Sequence, residues 1–574
     1  MSVHAIGHPV VATHTNTLTP VLRILVVIDG RIQLDHDTGL FGLGYVLDTL
    51  TDTGWGLAQV ELGIVTREAS IAEGPRGGRE VLYVGFRFDQ EGFDLDKWDQ
   101  VWIFADQPNS TDGGPSDTDA QIGPTYVLDD REALVLAEWM DRGGGVFATG
   151  DHGILGASLC HRIPRVRTMR RWRIADGVPA RDGSGKNQTW QGPDPDWPNE
   201  SDTLLQPVEL VTKRVTGSLP FLSLRRPHPL MCSLKGPITE FPDHMHEGEL
   251  VPDDEVDLDR PLGIPGYERP EYPEAIPEVL ALSLGPDIEW RVRPRPSIVA
   301  FGHTTNPRYL NTTEPGQLAG AILFRPALPP KRFGLVSAYD GDPVGLGRVV
   351  CDSTWHHWLS VNLHAIAAQD GPAYHKMQAY YRNVALWLAR ASQRRSMSVA
   401  AVWSELTQNG PVAFSERRTP WALGERTLML LAEWLSPCWV DELVNVHVDA
   451  TSLVLARSTD QDDPWAPQWG GVPEDLVHRA VVGALCQALL PTAMEVLAER
   501  TLREDVEVDV AAIETRAAAA VAEVPRLIRE SLEGAIVSLE RLRNGVAGAE
   551  ERWTDPATGG AQDESRRPLV GPLS

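Results

Sequence analysis

The chain has 574 residues, 42% of them apolar and 23% charged, the balance of an ordinary globular protein with room for two or three domains. A formal net charge of −27 repels nucleic acid and anionic membrane, so neither is an expected partner. The residues before Pro20 lack the basic and apolar regions of a signal peptide, and no apolar run reaches the ~18 residues that predict a membrane span; five scattered cysteines, none in a Cys-x-x-Cys pair, predict free or buried thiols in a cytoplasmic protein and no disulfide framework.

In chain order, Leu22 to Ile28 is a short β-branched run without alternation, the pattern of a parallel strand buried on both faces. A helix is predicted around 40–50, a strand over 57–65 and a third strand over 101–105. Asp129 and Glu132 have capping-box spacing, Ala133, Leu136, Ala137 and Met140 share one helical face, and Gly143 to Gly145 stop the helix. The strand 146–149 follows. This alternation predicts right-handed crossovers and a doubly wound, mostly parallel α/β sheet. The pattern is lost over about 154–290, which reads as an irregular insertion covering the strand ends. Strands resume at 297–302, 333–339 and 347–351, and a helix with Tyr380, Val384 and Trp387 closes an α/β domain spanning 21–393 after an N-terminal extension 1–20. A helical C-terminal domain is expected over 394–547, with helices near 425–436, 473–500 and 508–546, the last kinked or broken by Pro525. Residues 548–574 read as a disordered tail.

In open α/β sheets, ligands bind at the carboxyl ends of the strands. The predicted strands end in Asp29, Asp106, Asp151-His152, His303, Asp340 and Asp352. Each alone is an ordinary turn former, but together they suggest one titratable pocket. In Cys351–Trp358, Ser353 and Thr354 suit a helix cap, and adjacent His356 and His357 cannot face the same way; His356 is expected to face the pocket. Six arginines fall between Arg162 and Arg173, of which Arg167 and Arg170 are candidates to anchor a carboxylate or phosphate. The competing reading pairs them with the acidic run Asp253, Asp254, Glu255, Asp257 and Asp259. His244 and His246 would project from one face if extended, as two ligands of a divalent metal must; otherwise they belong to a polar loop bonded to Asp243 and Glu247. Gly39–Gly44 lacks the third glycine of a dinucleotide fingerprint, and neither a P-loop nor a Gly-x-Ser-x-Gly elbow occurs.

The strand Leu22–Gly30, the segments Asp94–Asp106 and Leu128–Gly153, the late Gly345–His357 and the helix Tyr380–Ala389 together resemble the ThuA-like (trehalose-utilisation) branch of the class I glutamine amidotransferase-like superfamily. The resemblance covers about 20–393 without the insertion. It implies a flavodoxin-like sheet and a small polar ligand of carbohydrate type. Amidotransferases place a nucleophilic cysteine at the turn after the strand that here ends in Gly150; this chain has Asp151-His152 there, so Cys-dependent glutaminase chemistry is not expected. The expected function is a hydrolase or lyase using His152 with Asp151 and Asp29, faced by His303 and His356, with Asp106, Asp340 and Asp352 toward the substrate. The alternative is a non-catalytic protein that binds a ligand or partner on the same sheet. The C-terminal helices, with Leu428, Leu431, Trp434 and Leu435 at core spacing, are expected to dock a protein partner or a second copy.

Overall fold

The computed structural model describes residues 18–28, 32–37, 41–52, 56–67, 77–105, 128–150, 159–170, 172, 205–216, 223–243, 250–274, 293–304, 309–311, 323–325, 331–414, 419–448, 474–500 and 508–554. They fall in two compact units, Met1–Val521 and Ala522–Ser574.

The first unit is built on one ten-stranded sheet. Its strands are β1 (Val21–Ile28), β2 (Gln59–Thr66), β3 (Tyr83–Val84), β4 (Gln100–Ala105) and β5 (Gly145–Gly150). They continue with β6 (Leu205–Leu210), β7 (Glu240–Pro242), β8 (Ser297–Thr304), β9 (Lys331–Tyr339) and β10 (Val349–Asp352). The spatial order is β7-β6-β8-β9-β10-β5-β4-β1-β2-β3. Neighbours from β3 to β10 are parallel, and those from β10 out to β7 are antiparallel.

The apolar run of β1 explains its central place. Leu22, Ile24, Val26 and Ile28 enter one core and Leu25 and Val27 the other, because successive side chains point to opposite faces. Full burial of each such side chain contributes at most about 1.5–3 kcal/mol. Helix α1 (Gly44–Thr51) covers the first face with Val46 and Leu47. Helix α2 (Asp130–Asp141) covers the second with Ala133, Leu136, Ala137 and Met140, and the capping box of Asp129 and Glu132 forms. Helices α3 (Ser360–Ala367) and α4 (Pro372–Trp387) return to the first face with Leu363, Tyr380 and Val384.

Three expectations change. The region 154–290, read as irregular, supplies β6 and β7 to the sheet. Strand β9 runs antiparallel to β10, with Tyr339 beside Val349, so its carboxyl end lies at the amino edge of the parallel strands. Cys232 and Cys438 form a disulfide across 206 residues, with Cα atoms 6.4 Å apart, where free thiols were expected.

The first core runs on without a break into α5 (Ala391–Ala413), α6 (Pro420–Leu431) and α7 (Pro437–Val448) through Met397, Leu431, Trp439 and Leu443. Helix α8 (Glu474–Arg500) lies on α6 so closely that a Cβ at Gly424 would sit 2.0 Å from the Arg479 carbonyl oxygen, and one at Gly483 2.0 Å from that of Pro420. Only glycine permits that approach. The segment Asp475–Glu499 is long and apolar enough to cross a membrane, and 61% of its apolar window is buried within the protein. Helix α9 (Val510–Ala522) completes the described part of this unit. In the second unit, α10 (Val524–Thr554) carries Pro525 in its first turn, where a missing N–H is harmless, and extends beyond the expected end at 546.

Candidate functional site

Strands β1, β4, β5 and β10 end side by side: Ile28 is beside Phe104, Ala105 beside Gly150, and Ala148 beside Cys351. Asp29, Asp106, Asp151 and His152, which follow β1, β4 and β5 directly, lie outside the described residues, as do His244 and His246. Among the described residues no group of three His, Cys, Asp or Glu side chains is placed to hold a metal ion.

At this carboxyl edge Asp352, the last residue of β10, is fully buried. Its Oδ2 accepts hydrogen bonds from Nε2 of His357 at 3.0 Å and Nε1 of Trp358 at 2.8 Å, and its Oδ1 accepts from the Tyr380 hydroxyl at 2.8 Å. Asp243, which follows β7, takes the other side of the same imidazole: its Oδ2 pairs with Nδ1 of His357, and its Oδ1 accepts from the Thr354 hydroxyl at 2.6 Å. Local structure makes this arrangement. The chain turns at Ser353, whose N–H is bonded to the Leu335 carbonyl at 2.9 Å, and a single 3-10 turn over His356–Trp358 carries His357 back under the strand end. Phe241, two residues before Asp243, stacks on the imidazole with centroids 4.3 Å apart.

Burial by itself would lower the proton affinity of His357, but hydrogen bonds and charge from Asp243 and Asp352 override it and raise the pKa above the usual histidine value. Both ring nitrogens are engaged by carboxylate oxygens, an arrangement that favours the protonated ring and leaves neither nitrogen free for a ligand. Burial, then Asp352, pushes the Tyr380 hydroxyl well above the ordinary tyrosine range, so it too acts as a donor. Arg170 reaches this edge, its Nη1 donating to the Asp352 carbonyl at 3.3 Å with the guanidinium over the Trp172 ring at 4.4 Å. The cluster orients β10, the 353–358 turn and the segment after β7 against one another.

The other expected site residues are placed differently. His356, expected to face a pocket, is buried edge-on to Trp355, and the carboxylates hold its neighbour His357. His303 lies on β8, which adjoins β6 and β9 and not β10; its Nε2 is 2.9 Å from Glu209. Glu209 also accepts two bonds from Arg332, at 3.0 and 2.8 Å, which with His303 hold its carboxyl below the usual range. His303 thus belongs to a partly exposed ion group two strands from β10.

Asp340 sits at the opposite edge, because β9 is antiparallel. There Arg348 donates to Asp340 at 3.0 and 2.9 Å and to Glu442 at 2.6 Å, and Arg394 donates to Glu442 at 2.9 Å and pairs with Asp342. This is a structural join between the β9–β10 turn, α5 and α7. Arg167 anchors no external anion: Glu271 accepts from its Nε at 3.0 Å and its Nη2 at 2.7 Å, and the Arg260 and Pro261 carbonyls accept at 3.0 and 2.8 Å. Pairing inside the insertion was the competing reading, but the partner is Glu271. The acidic run is engaged elsewhere, Asp253 accepting from the Ile298 N–H at 2.8 Å and Asp259 from Arg293 at 2.6 Å.

No sulfur is placed as a thiolate nucleophile. Cys232 and Cys438 are bonded to each other, and Cys160, Cys351 and Cys486 are buried. Burial pushes Cys160 and Cys486 up to about 12 and raises Cys351 as well.

Fold and site together define an α/β protein with a large, mostly parallel central sheet, a helical C-terminal part and a buried acid–histidine–acid group at the carboxyl edge. Compared with known protein families, curated proteins and solved structures, the chain matches none.

Asp243, Thr354, His357, Trp358 and Tyr380 are the members that sequence reasoning missed as a group. Asp243 and His357 are 114 residues apart. The only local signal was the pair of adjacent histidines just after a strand-ending aspartate.

Proposed function

We propose that this chain is a ThuA-like α/β protein with a flavodoxin-like sheet. In this reading it takes a small polar ligand of carbohydrate type at the carboxyl edge and acts on it as a hydrolase or lyase without a thiol nucleophile. The observation that carries this is the strand order. Counted along the chain, the six parallel strands β1 to β5 and β10 lie in the order 3-2-1-4-5-6, and in the order 2-1-3-4-5 once the two-residue edge strand β3 is set aside; in both, the switch point falls between β1 and β4, where such sheets bind ligands. Asp29 and Asp106 follow those two strands, and Asp151-His152 follow the next. His152 is assigned general acid–base chemistry, with Asp151 and Asp29 orienting it and Asp106 toward the ligand. His357 is a positioning residue, because both of its nitrogens are bonded to carboxylates.

A divalent metal held by His244 and His246, directly after Asp243, belongs to the same proposal. Elemental analysis with a His244→Ala/His246→Ala control tests it; stoichiometric metal unaffected by that change removes the ligand pair. Cytoplasmic location also stays part of the reading, with Cys232 and Cys438 only 3% and 7% exposed and so shielded from the thiol pool.

The test is a thermal-shift screen of neutral sugars, sugar acids and sugar phosphates, followed by product detection by NMR on any compound that stabilises the protein. The expected result is turnover that His152→Ala abolishes at unchanged melting temperature. A second reading, a non-catalytic binding protein, is favoured by the commitment of both His357 nitrogens. Stabilisation without turnover, unchanged by His152→Ala, selects that reading and overturns the first.

A further inference from the structure

We infer that α10 is an antiparallel dimerisation helix whose partner is α10 of a second copy of this chain. Along this helix apolar residues recur at alternating steps of three and four: Leu532, Ala535, Leu539, Leu542, Val546 and Ala549. That is the spacing of a coiled-coil seam, which keeps one stripe facing a partner. Leu542, on the stripe, is 66% exposed, and Ile536 beside it is 56% exposed. Gly534, Gly545 and Gly548 also fall within the helix. Glycine disfavours helix more than any residue except proline, so this segment depends on packing for its helical state.

The seam fits its own reverse. About a two-fold axis between Glu540 and Arg541, Leu532 meets Ala549, Ala535 meets Val546, and Leu539 meets Leu542, each layer occurring twice. Larger side chains meet alanines toward the ends and leucines meet at the centre, so no layer sets alanine against alanine. Parallel, in-register pairing instead sets Ala535 and Ala549 each against itself and leaves voids. The flanks agree with the reversed direction: Arg529 and Glu550 occupy equivalent flanking positions and face each other at both ends. An unrelated partner helix gives no reason for this self-complementarity.

The experiment uses the full chain in solution. Light scattering is expected to give twice the 63.1 kDa chain mass, and Leu539→Glu/Leu542→Glu is expected to return it to the single-chain value with the main melting transition retained. Independently of that variant, Ala535→Cys/Val546→Cys is expected to form a covalent dimer on mild oxidation. Ala535→Cys alone is not, because its two copies would lie about 16 Å apart along the axis. A wild-type monomer, or a dimer untouched by the glutamate pair, overturns the assignment of the interface to α10. Cross-linking through Ala535→Cys alone overturns the antiparallel direction.

Discussion

The two edges of the β9–β10 pair each hold an ion group around a buried cation, and the two groups differ in what carries the positive charge. At the amino edge, Asp340, Asp342 and Glu442 are balanced by the guanidiniums of Arg348 and Arg394. At the carboxyl edge, Asp243 and Asp352 are balanced by His357, a cation that exists only while protonated. A guanidinium keeps its charge at every accessible pH, whereas an imidazolium can lose it. The amino edge is therefore a permanent join, and the carboxyl edge, where ligands of such sheets bind, is a join that pH can undo.

The largest effect expected from breaking this contrast is at the amino edge. Arg348→Ala leaves three carboxylates short of a partner and should cost about 3 kcal/mol in urea unfolding, the low end for removing one side of a buried pair, because Asp340 is 41% exposed and Arg394 still holds Asp342 and Glu442. Arg348→Lys should recover only part of it, since one ammonium cannot reproduce the forked bonds to Asp340 together with the bond to Glu442. Full recovery by lysine would show that the fork geometry is unimportant.

The edges should also fail at opposite ends of the pH scale. His357 has a folded pKa raised above 6.5, so its contribution is complete below about that value and is lost as pH rises through the folded pKa. Glu442 is held at about 2 against an ordinary 4.5, mainly by Arg348 and Arg394 acting against burial, so its contribution is present above 4.5 and lost as pH falls toward 2. Melting temperature followed across pH should show an alkaline decline that His357→Gln removes and an acid decline that it leaves intact. An alkaline decline of equal size in His357→Gln would reject the imidazolium assignment.

Smaller changes sharpen the picture. Cys438→Ser should cost about 2–4 kcal/mol, the typical worth of a disulfide closing a long loop, with non-reducing peptide mapping showing the Cys232–Cys438 bond in the wild type. The least effect is expected at Glu209, about half exposed between His303 and Arg332: Glu209→Gln should change stability by no more than about 1 kcal/mol. A larger loss there would give His303 a role that its position does not suggest.

Much of the sheet was legible because it depends on local pattern. The β1 run has no polar face, so it had to be covered on both sides, and the Asp129–Glu132 spacing marked the start of α2 to the residue. The 154–290 region defeated pattern reading because β7 is only three residues long and both β6 and β7 lie toward one end of the sheet, where neighbours and not periodicity decide strand formation. Asp340 was misplaced for a related reason. A strand shows its alternation in sequence but not its direction, and antiparallel β9 sends its terminal aspartate to the far edge.

By itself, then, the sequence determined most of the parallel half of the sheet, the start of α2, the lack of a cysteine at the turn after Gly150 and the repeat along α10, since each is written in residues a few positions apart. Only the tertiary structure decided which histidine the acids hold, which glutamate holds Arg167, and that Cys232 meets Cys438. Those partners lie 114, 104 and 206 residues apart in the chain, and the burial that makes each pairing matter exists only once the sheet and the helices have closed around it.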